Sequence, residues 1–244
     1  MVTISIVIPA KNEAENLPAL LDGIDAACTR QGDYEILVID DGSTDGTAGL
    51  IHRRMRDHGN LRLIRHDVSG GQSAAVHSGV LAAKGRVICT LDADGQNPPG
   101  ELPKLFAPLL APGSERIGLV AGQRVGRQDT MSKKLASRFA NWIRSSALKD
   151  GTRDTGCGLK AFRREAFLRL PFFNHMHRYL PALFSRDGWE VAHVDVGHQP
   201  RHAGRSNYNN LQRGLVGAID LIGVMWLIRR RKRSRPAEDA EGRG

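Results

Sequence analysis

The sequence predicts an α/β domain built on a mostly parallel sheet. Three observations lead there: short β-branched runs recur along the first hundred residues, helical segments separate them, and polar clusters follow the strands. With 244 residues, 41% hydrophobic and 25% charged, the chain can bury a real core. That excludes a disordered chain and bounds the whole to one large domain with at most a small appendage.

The elements follow in order. ISIVI (4–8) is a short β-branched run suited to a buried parallel strand. Residues 14–30 read as a helix with Leu17, Leu20, Leu21 and Ile24 on one face. EILVID (35–40) is a second strand, followed by DDGSTDGT and a helix through about residue 58. LRLIR (61–65) is a third strand, 73–83 a small-residue helix, and RVICTLDAD (86–94) a fourth strand with acids at its end. After NPPG breaks the chain at 97–100, a helix is expected at 101–110 and a strand at 117–122. A basic helix near 131–148 precedes the Gly-rich DGTRDTGCG (150–158). A helix at 176–186, a strand at 189–196 and a helix over roughly 208–230 complete the reading. No internal repeat and no interdomain linker is seen.

Cys28, Cys89 and Cys157 are odd in number and widely spaced, which fits neither a disulfide framework nor a zinc site. The first residues lack the basic head, long apolar core and cleavage site of a secretory signal. Charge is uneven: residues 1–100 hold 9 basic and 13 acidic side chains, 101–228 hold 19 and 10, and 229–244 hold 7 and 3. An acidic front and a basic back suggest a cation or polar ligand first and an anionic partner later.

In open parallel sheets, ligands sit beyond the carboxyl ends of the strands. Three polar clusters fall there: Pro9 to Glu13, Asp40 to Ser43 and Asp92 to Gln96. Any one of them is also a plausible helix cap or turn, because Asp, Ser and Gly favour both. Three on one sheet edge point to a ligand pocket. In Asp92-Ala-Asp94-Gly-Gln96, alternating oxygen donors after an apolar strand can face one hard divalent cation, Mg²⁺ or Mn²⁺.

The segments VIPAKNEAENL, VIDDGSTDGT, GGQSAAVHSG, LDADGQNPP, DTGCGLKAFRR and PRHAGRSNYNN stand in the order of the family 2 glycosyltransferases. The chain resembles that family over about residues 3–215, and within it the polyprenyl-phosphate sugar transferases of the dolichyl-phosphate mannosyltransferase type. The resemblance implies a GT-A fold and a metal-bound nucleotide-sugar donor, a GDP- or UDP-sugar. It also implies transfer with inversion to the phosphate of a membrane polyprenol. Carried over by residue, it implies that Pro9, Lys11 and Glu13 line the nucleoside pocket, with Asp40 and Asp41 near base and ribose. Asp92, Asp94 and Gln96 would hold the metal, and Arg124, Arg201, Arg205 and Ser206 would handle phosphates. Arginine suits that work because its planar fork binds phosphate oxygens bidentately and stays charged.

The chain departs from the pattern in three places. Lys11 stands where relatives often carry Tyr, Gln72 replaces a common Lys or Arg, and Asn207 replaces a Lys. Asp154 falls where hydroxyl-directed relatives keep a catalytic base; a phosphate acceptor, already anionic at neutral pH, needs none. Arg127 and Arg169 read as solvated, and His66, His77 and His193 as core or surface histidines.

Residues 214–228 (GLVGAIDLIGVMWLI) are fifteen in number and interrupted by Asp220, too short for a spanning helix. Six positive charges follow within seven residues, 229–235. Basic residues at that place attract anionic lipid at ~1 kcal/mol each. The expectation is therefore a peripheral or monotopic protein on the cytoplasmic face. It divides into a catalytic domain over 1–207, an interfacial helix over 208–230 and a basic, then disordered, tail over 231–244. A nucleic-acid-binding role is disfavoured, since no recognition motif is present and only 5% of residues are aromatic. A sugar-nucleotide-forming nucleotidyltransferase would need a Gly-rich phosphate loop after the first strand, which is absent. Within the family, transfer to a sugar or lipid hydroxyl is the remaining alternative. Neither the sugar nor the oligomeric state is read from the sequence.

Overall fold

A computed structural model describes residues 2–29, 31–125, 144–148, 150–199, 210–231 and 234. Arg127, Arg201, Arg205 and Ser206 lie outside these residues, as does most of the expected basic helix near 131–148.

Among the described residues, seven strands form one sheet: β1 (Ile4–Ala10), β2 (Tyr34–Asp40), β3 (Leu61–Arg65), β4 (Val87–Thr90), β5 (Ile117–Arg124), β6 (Lys160–Arg163) and β7 (Glu190–Val196). Their order is β3-β2-β1-β4-β6-β5-β7. Only β6 runs against the rest, antiparallel to both β4 and β5, while β7 is parallel to β5. The α-helices numbered here are α1 (Leu17–Cys28), α2 (Thr47–Arg54), α3 (Gln72–Ala82), α4 (Leu102–Leu110), α5 (Arg164–Leu168), α6 (Leu180–Arg186) and α7 (Asn210–Arg229).

The period of two along β1 sends Ile4, Ile6 and Ile8 to one face, where they meet Leu17, Leu20, Leu21 and Ile24 of α1 and Leu102, Leu105 and Phe106 of α4. Val7, Leu37 and Ile39 face the other side, against Val76 and Val80 of α3, Phe167 of α5 and Leu183 of α6. This explains the near-continuous apolar strands, which are buried on both faces. Three helices, α1, α4 and α6, open with the dipeptide Leu-Pro. Proline at the second helical position loses nothing, because the first amides of a helix have no partner within it. Gly79 lets α3 lie close on the sheet, since a Cβ there would sit 2.4 Å from Val7 Cγ1.

The strand boundaries differ from expectation at two places that shape the site. β1 runs on through Pro9 to Ala10, while its pairing with β4 ends at Val7, so proline is tolerated where only β2 continues beside it. β4 stops at Thr90 rather than continuing to residue 94, and the acids therefore stand in a turn beyond the sheet. The sequence reading also missed β6, a four-residue strand with a charge at each end. Its centre, Ala161 and Phe162, is fully buried between β4 and β5.

Helix α7 packs by one face. Val224 is buried, Tyr179 Oη donates to the Gly217 carbonyl at 3.1 Å, Arg186 Nε donates to the Leu227 carbonyl at 2.9 Å, and His175 pairs with Asp220 at 3.0 Å. The opposite stripe, Ile219, Ile222 and Trp226, is 61%, 68% and 59% exposed. Among the described residues, no helix is long and apolar enough to cross a membrane.

Candidate active site

The C-terminal ends of β1, β2, β4 and β5 and the start of β6 share one sheet edge. There the loops after β1 and β2 clasp each other. Asn12, held at φ 58°, has its amide on Ser43 Oγ at 2.9 Å, and its side-chain oxygen accepts from the Thr44 amide at 2.8 Å. The Glu13 amide donates to Thr47 Oγ1, and Glu13 Oε2 accepts from Asn16 at 2.6 Å. Lys11 is exposed at the rim, with Pro9 and Glu13 partly exposed beside it.

Asp40 and Asp41 are both buried, and both are held by the protein. Asp40 accepts from the Ser43 amide at 2.8 Å and from Arg65 at 3.3 Å. Asp41 anchors the segment leading into α3: its carboxylate meets His66 at 2.7 Å, Ser69 Oγ at 2.7 Å, and the Gly70 and Gly71 amides at 2.8 Å each. These hydrogen bonds outweigh burial and hold Asp41 below the usual carboxylate range. The nucleoside contact that the resemblance implies for Asp41 would therefore fall to an acid whose oxygens are already engaged. His66 also reaches Ser78 at 2.9 Å, which gives it a structural part.

Past β4, Asp92 receives Gln72 Nε2 at 2.7 Å on one oxygen and Asn97 Nδ2 at 3.4 Å on the other. Burial, with the neighbouring charge of Asp94, pushes Asp92 up to about 6. Asp94 accepts from the Gln96 amide at 3.1 Å across a turn that Gly95 makes at φ 73°. The Gln96 carbonyl in turn accepts from the Gln199 amide at 2.9 Å. The wall of this turn is Gly158, where a Cβ would lie 2.1 Å from Asp92 Oδ2.

Asp92 and Asp94 form a like-charged oxygen pair that raises the proton affinity of one member, and a hard divalent cation would relieve that repulsion. Among the described residues no group of three or more His, Cys, Asp or Glu could hold a metal. Asp92 and Asp94 are the residues that could hold such a cation, the rest of its shell coming from ligand phosphates or water, which Mg²⁺ accepts.

Arg124, at the end of β5, donates from Nε and Nη2 to the two oxygens of Asp154 at 2.6 and 2.9 Å. Lys160 begins β6 with its ammonium buried against the Cys157 and Thr155 carbonyls. Burial lowers its pKa, opposed by the charges of Cys157, Asp92 and Asp154. Lys160, Asn97 and Gly158 were not singled out from sequence, although the segments carrying them were. Their signal is register: β6 pairs Lys160 with Thr90, two residues before Asp92. His193 meets Thr152 Oγ1 at 2.9 Å, and the His77 ring lies against Phe172. His177, buried on Ser73 Oγ at 2.8 Å, is pushed well below its ordinary value by desolvation.

A mostly parallel sheet with an acid pair past a central strand and helices on both faces defines a GT-A-type glycosyltransferase fold. Glucosyl-3-phosphoglycerate synthase from Mycobacterium tuberculosis, solved with Mn²⁺, UDP-glucose and glycerol 3-phosphate, superposes with a TM-score of 0.70 at 22% identity, over 96% of this chain and 82% of its own. Mannosyl-3-phosphoglycerate synthase from Rubrobacter xylanophilus gives 0.69 at 21%, over 98% and 79%. The chain belongs to glycosyl transferase family 2, whose family model matches residues 5–170. It is 35% identical over 211 residues to the undecaprenyl-phosphate 4-deoxy-4-formamido-L-arabinose transferase of Pectobacterium carotovorum, covering 86% of this chain and 63% of that protein. Its counterpart in Aeromonas hydrophila is 34% identical over 221 residues, covering 90% and 65%. The chain thus spans just under two thirds of the length of these relatives.

Proposed function

We propose that this chain transfers a sugar from a GDP- or UDP-sugar to a polyprenyl phosphate, with inversion, at the cytoplasmic face of a membrane. The observation that carries this reading is the Arg124–Asp154 pair. Both Asp154 oxygens are engaged by one guanidinium, so the carboxylate where hydroxyl-directed relatives keep a base serves to aim an arginine. An acceptor phosphate is already anionic and attacks without proton removal. The relatives' names, which specify undecaprenyl phosphate, support the same acceptor.

In this reading the nucleoside lies between the clasped β1 and β2 loops, near Pro9, Lys11 and Glu13. Gln72 and Asn97 orient Asp92, which with Asp94 and Gln96 would hold Mg²⁺ or Mn²⁺. The ion's chemistry there is neutralisation of the departing diphosphate. Arg124 offers its remaining surface to phosphate oxygens, and Arg201, Arg205 and Ser206 are assigned the same task from sequence. The site's work is placement and charge stabilisation. The exposed α7 stripe, followed by the arginines from 229, suits an anionic bilayer.

The test is a donor screen with polyprenyl phosphate in membranes, each UDP- and GDP-sugar, and Mg²⁺ or Mn²⁺. The expected result is labelled sugar in the lipid extract. Transfer confined to water-soluble hydroxyl acceptors would overturn the assignment.

A further inference from the structure

The sheet edge opposite Asp92 holds a polar cavity of about 380 Å³, lined by Lys84, Gly85, Arg86, Arg163, Arg164 and Glu165. Its size falls among small-molecule sites. It lies at the far end of β6, three residues and roughly 10 Å from Lys160. Four cations face a single carboxylate. Lys84 and Arg86 are exposed, and neither side chain has a hydrogen bond or ion pair among the described residues.

The cavity is rigidly built. The Lys84 amide donates to Glu35 Oε1 at 2.6 Å, and the Gly85 amide donates to Ser5 Oγ at 2.9 Å. Ser5 Oγ itself donates to Glu35 at 2.7 Å, and Arg62 Nη1 closes the network on Glu35 Oε2 at 2.7 Å. Gly85 lies against the chain so closely that a Cβ would be 2.7 Å from the Ser5 nitrogen. The Ser5–Glu35–Arg62 group, in which Ser5 and Glu35 are buried, has no part at the other edge and thereby fixes Lys84 and Arg86 on either side of a glycine floor. Arg163 is anchored through Nε on the Ile117 carbonyl at 2.8 Å and Nη2 on the Ser114 carbonyl at 2.8 Å. Arg164 is anchored through Nε on Val80 and Nη2 on Leu81, each at 2.9 Å. Neither Nη1 has an acceptor among the described residues. Held this way, the guanidiniums have little freedom left to lose on binding.

We propose that this cleft binds a phosphate-bearing anion at a site separate from the transfer edge. Two anchored guanidiniums, an ammonium and a further arginine match a group with several charged oxygens better than a lone carboxylate. The anion is either a free diphosphate or the headgroup of an anionic phospholipid, and the proposal does not depend on the sugar-transfer reading.

The probes are inorganic pyrophosphate, titrated calorimetrically in EDTA, and sedimentation with phosphatidylglycerol vesicles against phosphatidylcholine alone. All chains carry Arg124→Gln, which removes a competing phosphate contact assigned to the other edge. Lys84→Gln with Arg86→Gln changes only exposed side chains, and an unaltered melting temperature checks the fold. Pyrophosphate binding weakened about tenfold or more by the pair identifies a free-anion site. An equal loss of phosphatidylglycerol binding, with pyrophosphate silent, identifies the lipid headgroup. Binding unaffected by the pair in both arms, or absent from both, overturns the proposal.

Discussion

Asp92 is the residue at which stability and chemistry pull apart. Its carboxyl is pushed up to about 6 in the folded chain, while an unfolded chain returns it to the ordinary range near ~4. Between those values the folded state binds the extra proton, so ionisation opposes folding: the penalty is absent below about pH 4 and complete above about pH 6. Its size is on the order of 3 kcal/mol. Asp92→Asn should therefore raise the melting temperature of the metal-free chain by several degrees at pH 7.5, at roughly 2–4 °C per kcal/mol, and leave it unchanged near pH 4. Scanning calorimetry at the two pH values checks this, and an equal shift at both would refute it. Mn²⁺ should stabilise the wild type and not the variant. A second test concerns Arg124 and Asp154. If Asp154 only aims the arginine, Arg124→Ala with Asp154→Ala should be no slower than Arg124→Ala alone. A further hundredfold loss in the double variant, of the size general-base removal produces, would make Asp154 an independent base. The candidate residues Asp92, Asp94, Arg124 and Asp154 were legible because a motif names residue types in order. Their partners were not, since Gln72 meets Asp92 across 20 positions and Arg124 meets Asp154 across 30.

Elements were legible where a local period decides them. The apolar runs of β1, β2 and β3 and the Leu17, Leu20, Leu21, Ile24 face of α1 carry their own signal. β6 carries none: four residues, KAFR, are short enough for a loop, and only the slot between β4 and β5 makes them a strand. That strand delivers Gly158 to Asp92. Gly158→Ala should abolish transfer, because the new methyl overlaps the Asp92 carboxylate, while far-ultraviolet circular dichroism stays native. Retained turnover would show that the turn can move aside. At Gly79 the clash is with Val7, a core side chain, so Gly79→Ala should act on the fold and destabilise by about 1–3 kcal/mol in urea titration.

At the scale of the whole molecule, α7 packs on the domain through Val224 and leaves an outer stripe, Ile219, Ile222 and Trp226, exposed. Removing the helix would therefore bare Val224 and its neighbours, so deletion is a poor test of membrane binding. Ile222→Asp with Trp226→Asp on the outer stripe should release the chain from anionic vesicles with little change in melting temperature. Val224→Asp on the inner face should lower the melting temperature instead. Vesicle binding indifferent to the outer pair would place the contact elsewhere.

The lone reversed strand also has a temporal consequence. Thr90 and Lys160, neighbours across the β4–β6 boundary, are 70 residues apart in the chain, so this central seam closes only after a long loop has been brought together. Until then β4 presents an unpaired margin, and Asp92 lacks the wall that confines it. A growing or refolding chain can pair β1, β2 and β3 well before it owns a finished pocket. Competence therefore arrives with the last central strand, and an incompletely threaded chain holds Asp92 without the enclosure that raises its proton affinity.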